Sequence, residues 1–346
     1  MKFTPRRLIV VPVAALAVLA GCSSGHSNSA APSNTPPATT PSSPPTSPAS
    51  SSTSAPPTKP TTKATTGPAK AAANSQAVHI QLKFADGQTF GVGIPVIAMF
   101  SQEVVDATAL QQATTLTING QKRTGGHWYF EPLSGHPGYP IEGDYRLHDP
   151  WPAHSRILVD IPAKGLSAGP GLGFDDSLTS SFSTGASHVL TVSNATHTLT
   201  LNVDGQVKAH YPVSLGATNT PTARGIKVVM EKGLDIRMTG PGYDDPHVKF
   251  TQRLTYGGEY LHAAPWNCTN GPGCAGPGNN IGSANSSNGC TNLIPGDAEK
   301  LYDTLIIGDV VKYPDADGPL MTMGAGYGDW NVPWAQWLTG GDVTKI

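Results

Sequence analysis

Short segments of alternating apolar and polar residues dominate the chain from about residue 77 to residue 185. Val78–Phe84 and Ile157–Ile161 show this alternation, and turn residues such as Asp86-Gly87 and Asn119-Gly120 separate neighbouring segments. A period of two is typical of half-buried strands, and short strands at this spacing are typical of a β-sandwich. The pattern therefore predicts a β-sandwich, with Trp128, Tyr145 and Trp151 as core or inter-strand aromatic residues.

A second series of strand-like segments begins near His188. Thr198–Val203 and Gln206–Val213 are joined by Asp204-Gly205, a dipeptide that favours a tight hairpin turn. Pro295–Leu305 is the one clear helical segment, since Pro-Gly-Asp opens it and acidic residues lie near its start. We therefore expect a second domain that is also mostly β.

The last part of the chain, residues 315–346, carries three tryptophans, Trp330, Trp334 and Trp337. We predict that they pack on the second domain; a free aromatic binding strip is the alternative. The whole chain is thus predicted to be mainly β. Its predicted segments are a signal peptide (1–21), a tether (22–76), the sandwich (77–186), the second domain (187–314) and the Trp-rich segment (315–346).

The first 76 residues have no pattern of a folded domain. Basic residues precede the apolar run Leu8–Ala20, which is short for a membrane span and typical of an export signal. Leu19-Ala20-Gly21-Cys22 resembles a bacterial lipobox, which predicts lipidation of Cys22 and attachment to the outer face of the cytoplasmic membrane. An ordinary cleaved signal peptide with a chance cysteine is the alternative. The Ser/Thr/Pro/Ala-rich residues that follow indicate an extended tether reaching into the cell wall.

Composition excludes several classes of function. Only 13% of residues are charged and the formal net charge is -2, so we expect no nucleic-acid partner. The chain has no His-x-x-x-His or paired Cys-x-x-Cys spacing and no glycine-rich phosphate loop between a strand and a helix. We therefore predict neither a metal nor another cofactor.

The candidate chemistry lies in two separated blocks. Cys290 follows Gly289 directly, which indicates a thiol on a sharp turn, and His262 lies in a strand-like block upstream. An imidazole close to a thiol shifts it toward the nucleophilic thiolate, so the pair predicts a cysteine nucleophile with a histidine base. A half-buried strand histidine without a catalytic role is the alternative reading of His262.

Cysteine pairing bears on the same hypothesis. Three cysteines follow Cys22, and Cys268 and Cys274 are separated by a Gly/Pro turn. A disulfide between them is the most economical pairing in an exported protein and leaves Cys290 free. A structural disulfide that includes Cys290 is the alternative.

Several separated blocks resemble the L,D-transpeptidase (YkuD) family from about residue 77 to the C-terminus. Ser287, Gly289, Cys290 and Asn292 match the family motif, and His262-Ala263-Ala264-Pro265-Trp266 is similar to a block of its mycobacterial branch. The chain departs from the motif in two places: Asn288 stands where the family has histidine, and Thr291 where it has an apolar residue. Asparagine cannot take up a proton at neutral pH, so the role of base falls to His262.

The resemblance implies further roles. It implies an immunoglobulin-like fold for the sandwich and a backbone carbonyl, that of Ala263, that holds the imidazole of His262. Residues with an oxyanion-binding or orienting role would be Gly289, Asn288 and Ala263. Residues that contact substrate would be Met238, Tyr243, Tyr256, Gly257, Gly258, Trp266 and Asn292.

The implied reaction joins peptidoglycan stem peptides. Cys290 would form an acyl-enzyme with a donor tetrapeptide stem, release its terminal D-alanine, and pass the acyl group to the amine of an acceptor stem as a 3→3 cross-link. Carbapenem β-lactams are the expected covalent inhibitors. The alternatives are an L,D-carboxypeptidase that uses the same pair, and an inactive wall-binding lipoprotein. Sortases and NlpC/P60 peptidases fit less well, because sortases place an arginine just after cysteine and NlpC/P60 peptidases place cysteine before histidine.

Overall fold

The computed structural model describes residues 67–240, 242–342 and 344–346. The predicted signal peptide, Cys22 and most of the predicted tether lie outside these residues, so those expectations stay predictions. None of the helices in the described ranges has the length and apolar character needed to cross a bilayer.

Twelve strands and one short helix form the first half of the described chain, in a 4-stranded sheet (β2-β4-β8-β7), a 5-stranded sheet (β3-β12-β9-β5-β6) and a 3-stranded sheet (β1-β11-β10). The elements are β1 Gln76–Val78, β2 Ile80–Leu82, β3 Gln88–Phe90, β4 Val96–Phe100, α1 Thr108–Ala113, β5 Thr115–Ile118, β6 Gln121–Arg123, β7 His127–Pro132, β8 Ile141–Arg146, β9 Arg156–Ile161, β10 Ser167–Gly169, β11 Leu172–Phe174 and β12 Leu178–Thr184.

The core of this half follows the alternation in the sequence. In β9 every second residue is buried, which places Ile157, Val159 and Ile161 on one face of the strand. Trp128, Tyr145 and Trp151 are buried as well, as the sequence predicted. The segment Val78–Phe84 is not one strand: β1 pairs with β11 and β2 with β4, because the chain passes from one sheet to another at His79.

One 9-stranded sheet forms the second half, in the order β16-β21-β13-β14-β15-β20-β19-β18-β17. Its elements are β13 His188–Ser193, β14 Thr198–Val203, β15 Gln206–Ser214, β16 Gly225–Val228, β17 Glu231–Gly240, β18 Tyr243–Arg253, β19 Tyr260–Ala263, β20 Thr291–Leu293, α2 Pro295–Thr304 and β21 Val310–Tyr313, with a 3-10 turn at Pro265–Asn267. The predicted helix and the predicted hairpin are both present; Asp204 and Gly205 have positive φ angles of 49° and 81°, as a tight hairpin turn requires.

The C-terminal segment contains two 3-10 turns, Met323–Ala325 and Asp329–Asn331, and the short helix α3 Trp334–Trp337. Its tryptophans pack mainly on the first domain and not, as expected, on the second; Asn331 of the same segment exchanges two hydrogen bonds with the backbone of Ile226 in the second domain. The guanidinium carbon of Arg146, on β8, lies 4.6, 5.2 and 3.9 Å from the ring centroids of Trp330, Trp334 and Trp337. A largely buried guanidinium is stabilised by aromatic faces and carbonyl oxygens, and this segment supplies both.

Candidate active site

Two neighbouring strands bring the separated Cys and His blocks together. β19 and β20 pair in parallel, with His262 opposite Asn292 and Leu261 opposite Thr291. Side chains two residues apart on an extended strand point to the same side, so Cys290, just before β20, is on the side of Asn292 and His262. The sheet therefore places the thiol, the imidazole and the amide around one cavity.

A tight turn precedes the thiol. Gly289 has a φ of 104°, a conformation that residues with a Cβ rarely adopt. The hydroxyl of Ser287 donates to the carbonyl oxygen of Cys290 at 2.6 Å, and the hydroxyl of Thr222 donates to that of Gly289 at 2.9 Å. The N–H of Gly289, a residue expected to have an oxyanion-binding or orienting role, donates to the Ser287 hydroxyl oxygen at 3.2 Å and is therefore already engaged. These bonds hold the turn in one conformation.

The cavity has a volume of about 310 Å³. Its walls combine the two predicted catalytic residues with amide, hydroxyl and aromatic side chains. The lining residues are Met238, Tyr243, Asp245, Val248, His262, Trp266, Asn267, Gly278, Asn280, Ser286, Ser287, Asn288, Cys290 and Asn292.

The histidine is buried and held by one backbone bond. Nδ1 of His262 lies 2.8 Å from the carbonyl oxygen of Ala263, the residue that the resemblance implied for this contact. A carbonyl oxygen only accepts, so Nδ1 carries the hydrogen and Nε2 is the basic nitrogen. Burial lowers the pKa of His262, which keeps the imidazole neutral at pH 7. His262 is thus set up to accept a proton.

The thiol of Cys290 is free and nearly buried. Its S–H faces the carbonyl oxygen of Gly258 at 3.6 Å, and no hydrogen bond joins it to His262 within the described chain. Burial raises the pKa of the thiol to about 12. The expectation that the imidazole shifts the resting thiol toward thiolate is therefore wrong, since desolvation disfavours the charged form.

The predicted substrate-contacting residues fall into two groups. Met238, Tyr243, Trp266 and Asn292 line the cavity, and so does Asn288, whose exposed side chain lies at its rim. Tyr256 and Gly257 do not line it. The hydroxyl of Tyr256 instead accepts a hydrogen bond of 2.9 Å from Lys83 of the first domain. Gly258 takes part through its carbonyl oxygen, as the partner of the thiol.

The loop between β19 and β20 forms one wall of the cavity. Cys268 and Cys274 are joined by a disulfide within it, as the sequence indicated. The N–H of Gly278 donates to the carbonyl oxygen of Trp266 at 3.0 Å. The side-chain amide of Asn280 donates to Oδ1 of Asn267 at 3.1 Å. The many glycines of this loop thus belong to a hydrogen-bonded wall. No group of three or more His, Cys, Asp or Glu side chains in the described ranges could hold a metal ion.

A buried polar network behind the thiol was missed by the sequence analysis. Lys227, fully buried on β16, forms an ion pair with Glu259, and its ammonium lies 4.0 Å from the ring centroid of Tyr313. Tyr313 and Thr291 share a hydrogen bond of 2.7 Å between their hydroxyl oxygens. Thr291, which stands where the family has an apolar residue, thus has a tyrosine hydroxyl as its hydrogen-bond partner. The sequence carries no local signal for this lysine, because alternation with Ile226 and Val228 predicts that Lys227 faces solvent.

Comparison with known proteins agrees with this architecture. Residues 187–312 match the family model of the L,D-transpeptidase catalytic domain (YkuD), and residues 49–167 match that of a bacterial Ig domain. L,D-transpeptidase 2 of Mycobacterium tuberculosis (strain CDC 1551 / Oshkosh) is 28% identical over 278 residues, which cover 77% of this chain and 64% of that protein. L,D-transpeptidase 5 of M. tuberculosis (strain ATCC 25618 / H37Rv) is 28% identical over 278 residues, which cover 79% of this chain and 58% of that protein. The chain thus spans less than two thirds of the length of either relative.

Two solved structures show the same fold. An L,D-transpeptidase from Mycobacterium smegmatis has 27% identity and a TM-score of 0.52, covering 69% of this chain and 99% of that one. An L,D-transpeptidase in complex with imipenem has 26% identity and a TM-score of 0.52, and the match covers 71% of this chain and 99% of that one. The mainly β chain therefore carries a YkuD-type L,D-transpeptidase domain after a bacterial immunoglobulin-like domain, which confirms the predicted family and fold class.

Proposed function

We propose that the protein is a peptidoglycan L,D-transpeptidase that forms 3→3 cross-links through an acyl-enzyme on Cys290. The observation that supports this most directly is a free thiol in the same cavity as an imidazole whose Nδ1 is committed to Ala263. This fixes Nε2 as the basic nitrogen of a neutral His262. The arrangement suits proton transfer from the thiol during attack, since the resting thiol is not ionised.

The first half of the reaction acylates the enzyme. His262 takes the thiol proton on Nε2 while the sulfur of Cys290 attacks the carbonyl carbon of the third residue of a donor tetrapeptide stem. The C–N bond to the fourth residue, a D-alanine, then breaks, and the imidazolium gives its proton to the leaving amine. A thioester remains on Cys290, and His262 is neutral again.

The second half transfers the acyl group. The side-chain amine of an acceptor stem, after losing its ammonium proton to solvent, attacks the thioester carbon. His262 accepts a proton from the attacking nitrogen and returns it to the sulfur as the C–S bond breaks. The free thiol is restored, and the energy of the broken peptide bond is conserved in the new one, without ATP.

The polar lining of the cavity suits an extended peptide substrate. Asn292 is 3% exposed, and its Oδ1 has no hydrogen-bond partner among the described residues. A buried acceptor without a donor is costly, so an N–H group of the substrate is the natural partner. Asn288, at the rim, offers an amide in place of the family's histidine; it can orient a substrate but cannot relay a proton.

The cellular setting is part of the proposal. We propose that Cys22 is lipidated and holds the enzyme at the outer face of the cytoplasmic membrane, where stem peptides are accessible; the support is the Leu19-Ala20-Gly21-Cys22 block. Metabolic labelling with a fatty acid tests this. Label should be incorporated into the wild type and lost in Cys22→Ser; label in both would contradict it.

The activity is tested on purified protein by intact mass and product analysis. Incubation with imipenem should give a covalent adduct that is lost in Cys290→Ala and kept in Cys268→Ser/Cys274→Ser, which removes the two disulfide-bonded cysteines. A tetrapeptide stem should yield a cross-linked dimer and D-alanine. Release of D-alanine with tripeptide alone would replace the proposal by the carboxypeptidase. Neither adduct nor turnover would favour an inactive wall-binding lipoprotein.

A further inference from the structure

The cavity contains one carboxylate, and the sequence analysis did not identify it. Asp245 lines the cavity together with Cys290 and His262, and no lysine or arginine is among the lining residues. The ionisable groups facing the space are thus one carboxylate, one imidazole, one thiol and the Tyr243 phenol. At neutral pH the wall is negatively charged, because the imidazole and the thiol are neutral.

The strand geometry directs this carboxylate into the cavity. Asp245 follows Tyr243 by two residues on β18, and both line the cavity, as the alternation of an extended strand requires. Asp244 lies between them on the opposite side, where its carboxylate accepts hydrogen bonds from Arg237 at 2.7 and 2.5 Å. Across the hairpin Asp245 is opposite Met238, which also lines the cavity.

The neighbouring acids on this hairpin are paired, and Asp245 is not. Asp244 pairs with Arg237, Asp235 with His247 at 3.3 Å, and Glu231 with Arg253 at 3.3 Å. The side chain of Asp245 makes no hydrogen bond or ion pair to any residue that the structure describes, although the residue is only half-exposed. Its negative charge acts on His262 across the cavity. The one unpaired acid of the hairpin is therefore the one that faces the reacting groups.

We propose that Asp245 binds the side-chain ammonium of the acceptor stem and so selects an amine, rather than water, to attack the acyl-enzyme. This inference rests on the proposed transpeptidase function and identifies its second substrate as a cation. A primary side-chain amine is mostly protonated at neutral pH, so the acceptor arrives as an ammonium ion. A carboxylate in a partly desolvated cavity attracts it more strongly than one in open water.

The proposal explains how one cavity distinguishes its two substrates. The donor stem reacts through a carbonyl group and meets the amides and the thiol. The acceptor reacts through nitrogen and meets the carboxylate on the hairpin. Asp245 is a binding residue here and takes no proton: the ammonium loses its proton to solvent before the neutral amine attacks the thioester.

The test measures binding without chemistry, in Cys290→Ala protein. The probes are a stem tripeptide ending in L-lysine and the same peptide with its side-chain amine acetylated, titrated by calorimetry. Asp245→Asn should weaken binding of the amine peptide about tenfold, the usual size of a hydrogen bond to a charged group. It should not change binding of the acetylated peptide. Asp244→Asn is the matched control, because it removes the same charge from the other side of the strand, and it should leave both affinities unchanged.

Equal loss of affinity for both peptides in Asp245→Asn, or equal effects of Asp244→Asn and Asp245→Asn, would overturn the proposal. Binding of the amine peptide no tighter than the acetylated one in the Cys290→Ala parent would overturn it too. These outcomes are independent of turnover. A wild type that binds the ammonium through Asp245 but forms no cross-link would refute the proposed reaction and leave the ammonium site standing.

Discussion

The carbonyl oxygen of Ala263 accepts a 2.8 Å hydrogen bond from Nδ1 of His262, the residue directly before it. Many catalytic histidines depend on a carboxylate for this contact, and a carboxylate can be lost by one substitution. A backbone carbonyl cannot be removed in that way, and it carries no charge that would raise the imidazole pKa strongly. The bond therefore fixes the tautomer while burial keeps the base neutral.

The pH dependence of acylation should reflect this neutral base. A general base works in its unprotonated form, and burial lowers the pKa of His262 below its ordinary value of 6.5. The rate of imipenem adduct formation should therefore be flat around pH 7 and fall only below about pH 6.5. The rate can be measured by stopped-flow fluorescence or quenched mass spectrometry at a series of pH values on both sides of 6.5.

The corresponding substitution is His262→Ala. It should slow adduct formation by about 10²–10⁴-fold, the usual contribution of a general base. His247→Ala is the control, since that exposed histidine lies outside the cavity lining. If the rate of adduct formation has its pH midpoint above 6.5, or if His262→Ala has only a small effect on that rate, another group takes the thiol proton.

The ion pair behind the thiol should be essential for stability. Lys227→Met leaves the largely buried carboxylate of Glu259 without its partner, and breaking a buried pair in this way costs about 3–5 kcal/mol. The midpoint of chemical denaturation should fall accordingly. The double variant Lys227→Met/Glu259→Gln should recover much of the loss because no uncompensated charge remains.

Lys312→Met is a suitable control for that experiment. Lys312 lies on the neighbouring strand β21 but is exposed, so its removal should change stability by less than about 0.5 kcal/mol. Equal effects of Lys227→Met and Lys312→Met would show that the buried pair contributes nothing.

Trp337 should anchor the C-terminal segment to the immunoglobulin-like domain. Its buried ring stacks on Tyr129 with centroids 4.9 Å apart, and its Nε1 donates to the carbonyl oxygen of His127 at 2.9 Å. Trp337→Ala should cost about 3–5 kcal/mol, as for other buried tryptophans. Leu338→Ala, at an exposed neighbour, should be nearly neutral. Thermal unfolding of the two variants tests this prediction. Equal melting temperatures for Trp337→Ala and Leu338→Ala would show that Trp337 does not anchor the segment.

Stability should fall as the pH rises through neutrality. Burial raises the pKa of Glu131 to about 8, with Glu142 and Asp329 acting in the same direction. The folded protein thus holds the proton of the Glu131 carboxyl group more tightly than the unfolded chain does, since glutamates in an unfolded chain have a pKa of about 4.3. The stabilisation is complete below the unfolded pKa and is lost as the pH rises through about 8.

Melting temperature as a function of pH tests this. The wild type should lose stability between about pH 5 and 9, and Glu131→Gln should flatten the curve, because glutamine cannot ionise. Glu103→Gln, at an exposed glutamate of the same domain, should leave the slope unchanged. A wild type that gains stability over this range would show that the carboxyl group folds in its ionised form.

The strands, the Asp204-Gly205 hairpin and the helix Pro295–Thr304 could be predicted because their signals are local. Period-two alternation, turn dipeptides and a proline-initiated helix are properties of neighbouring residues. The candidate catalytic pair, Cys290 and His262, was also visible, since a cysteine after glycine and a histidine before Ala-Ala-Pro-Trp are short motifs. The switch of the chain between sheets at His79 was not visible, because it depends on which distant strand each segment joins.

The sequence by itself determined the mainly β class, the resemblance to the L,D-transpeptidase family, the free Cys290 and His262 as the candidate base. Only the tertiary structure decided which residues surround them. The parallel pairing of β19 with β20 brings His262 opposite Asn292, the β17–β18 hairpin turns Asp245 toward the thiol, and the sheet buries Lys227 beside Glu259. The burial that raises the pKa of the Cys290 thiol is also a result of the tertiary structure. Such effects depend on contacts between residues far apart in the chain, and a local pattern carries no information about desolvation.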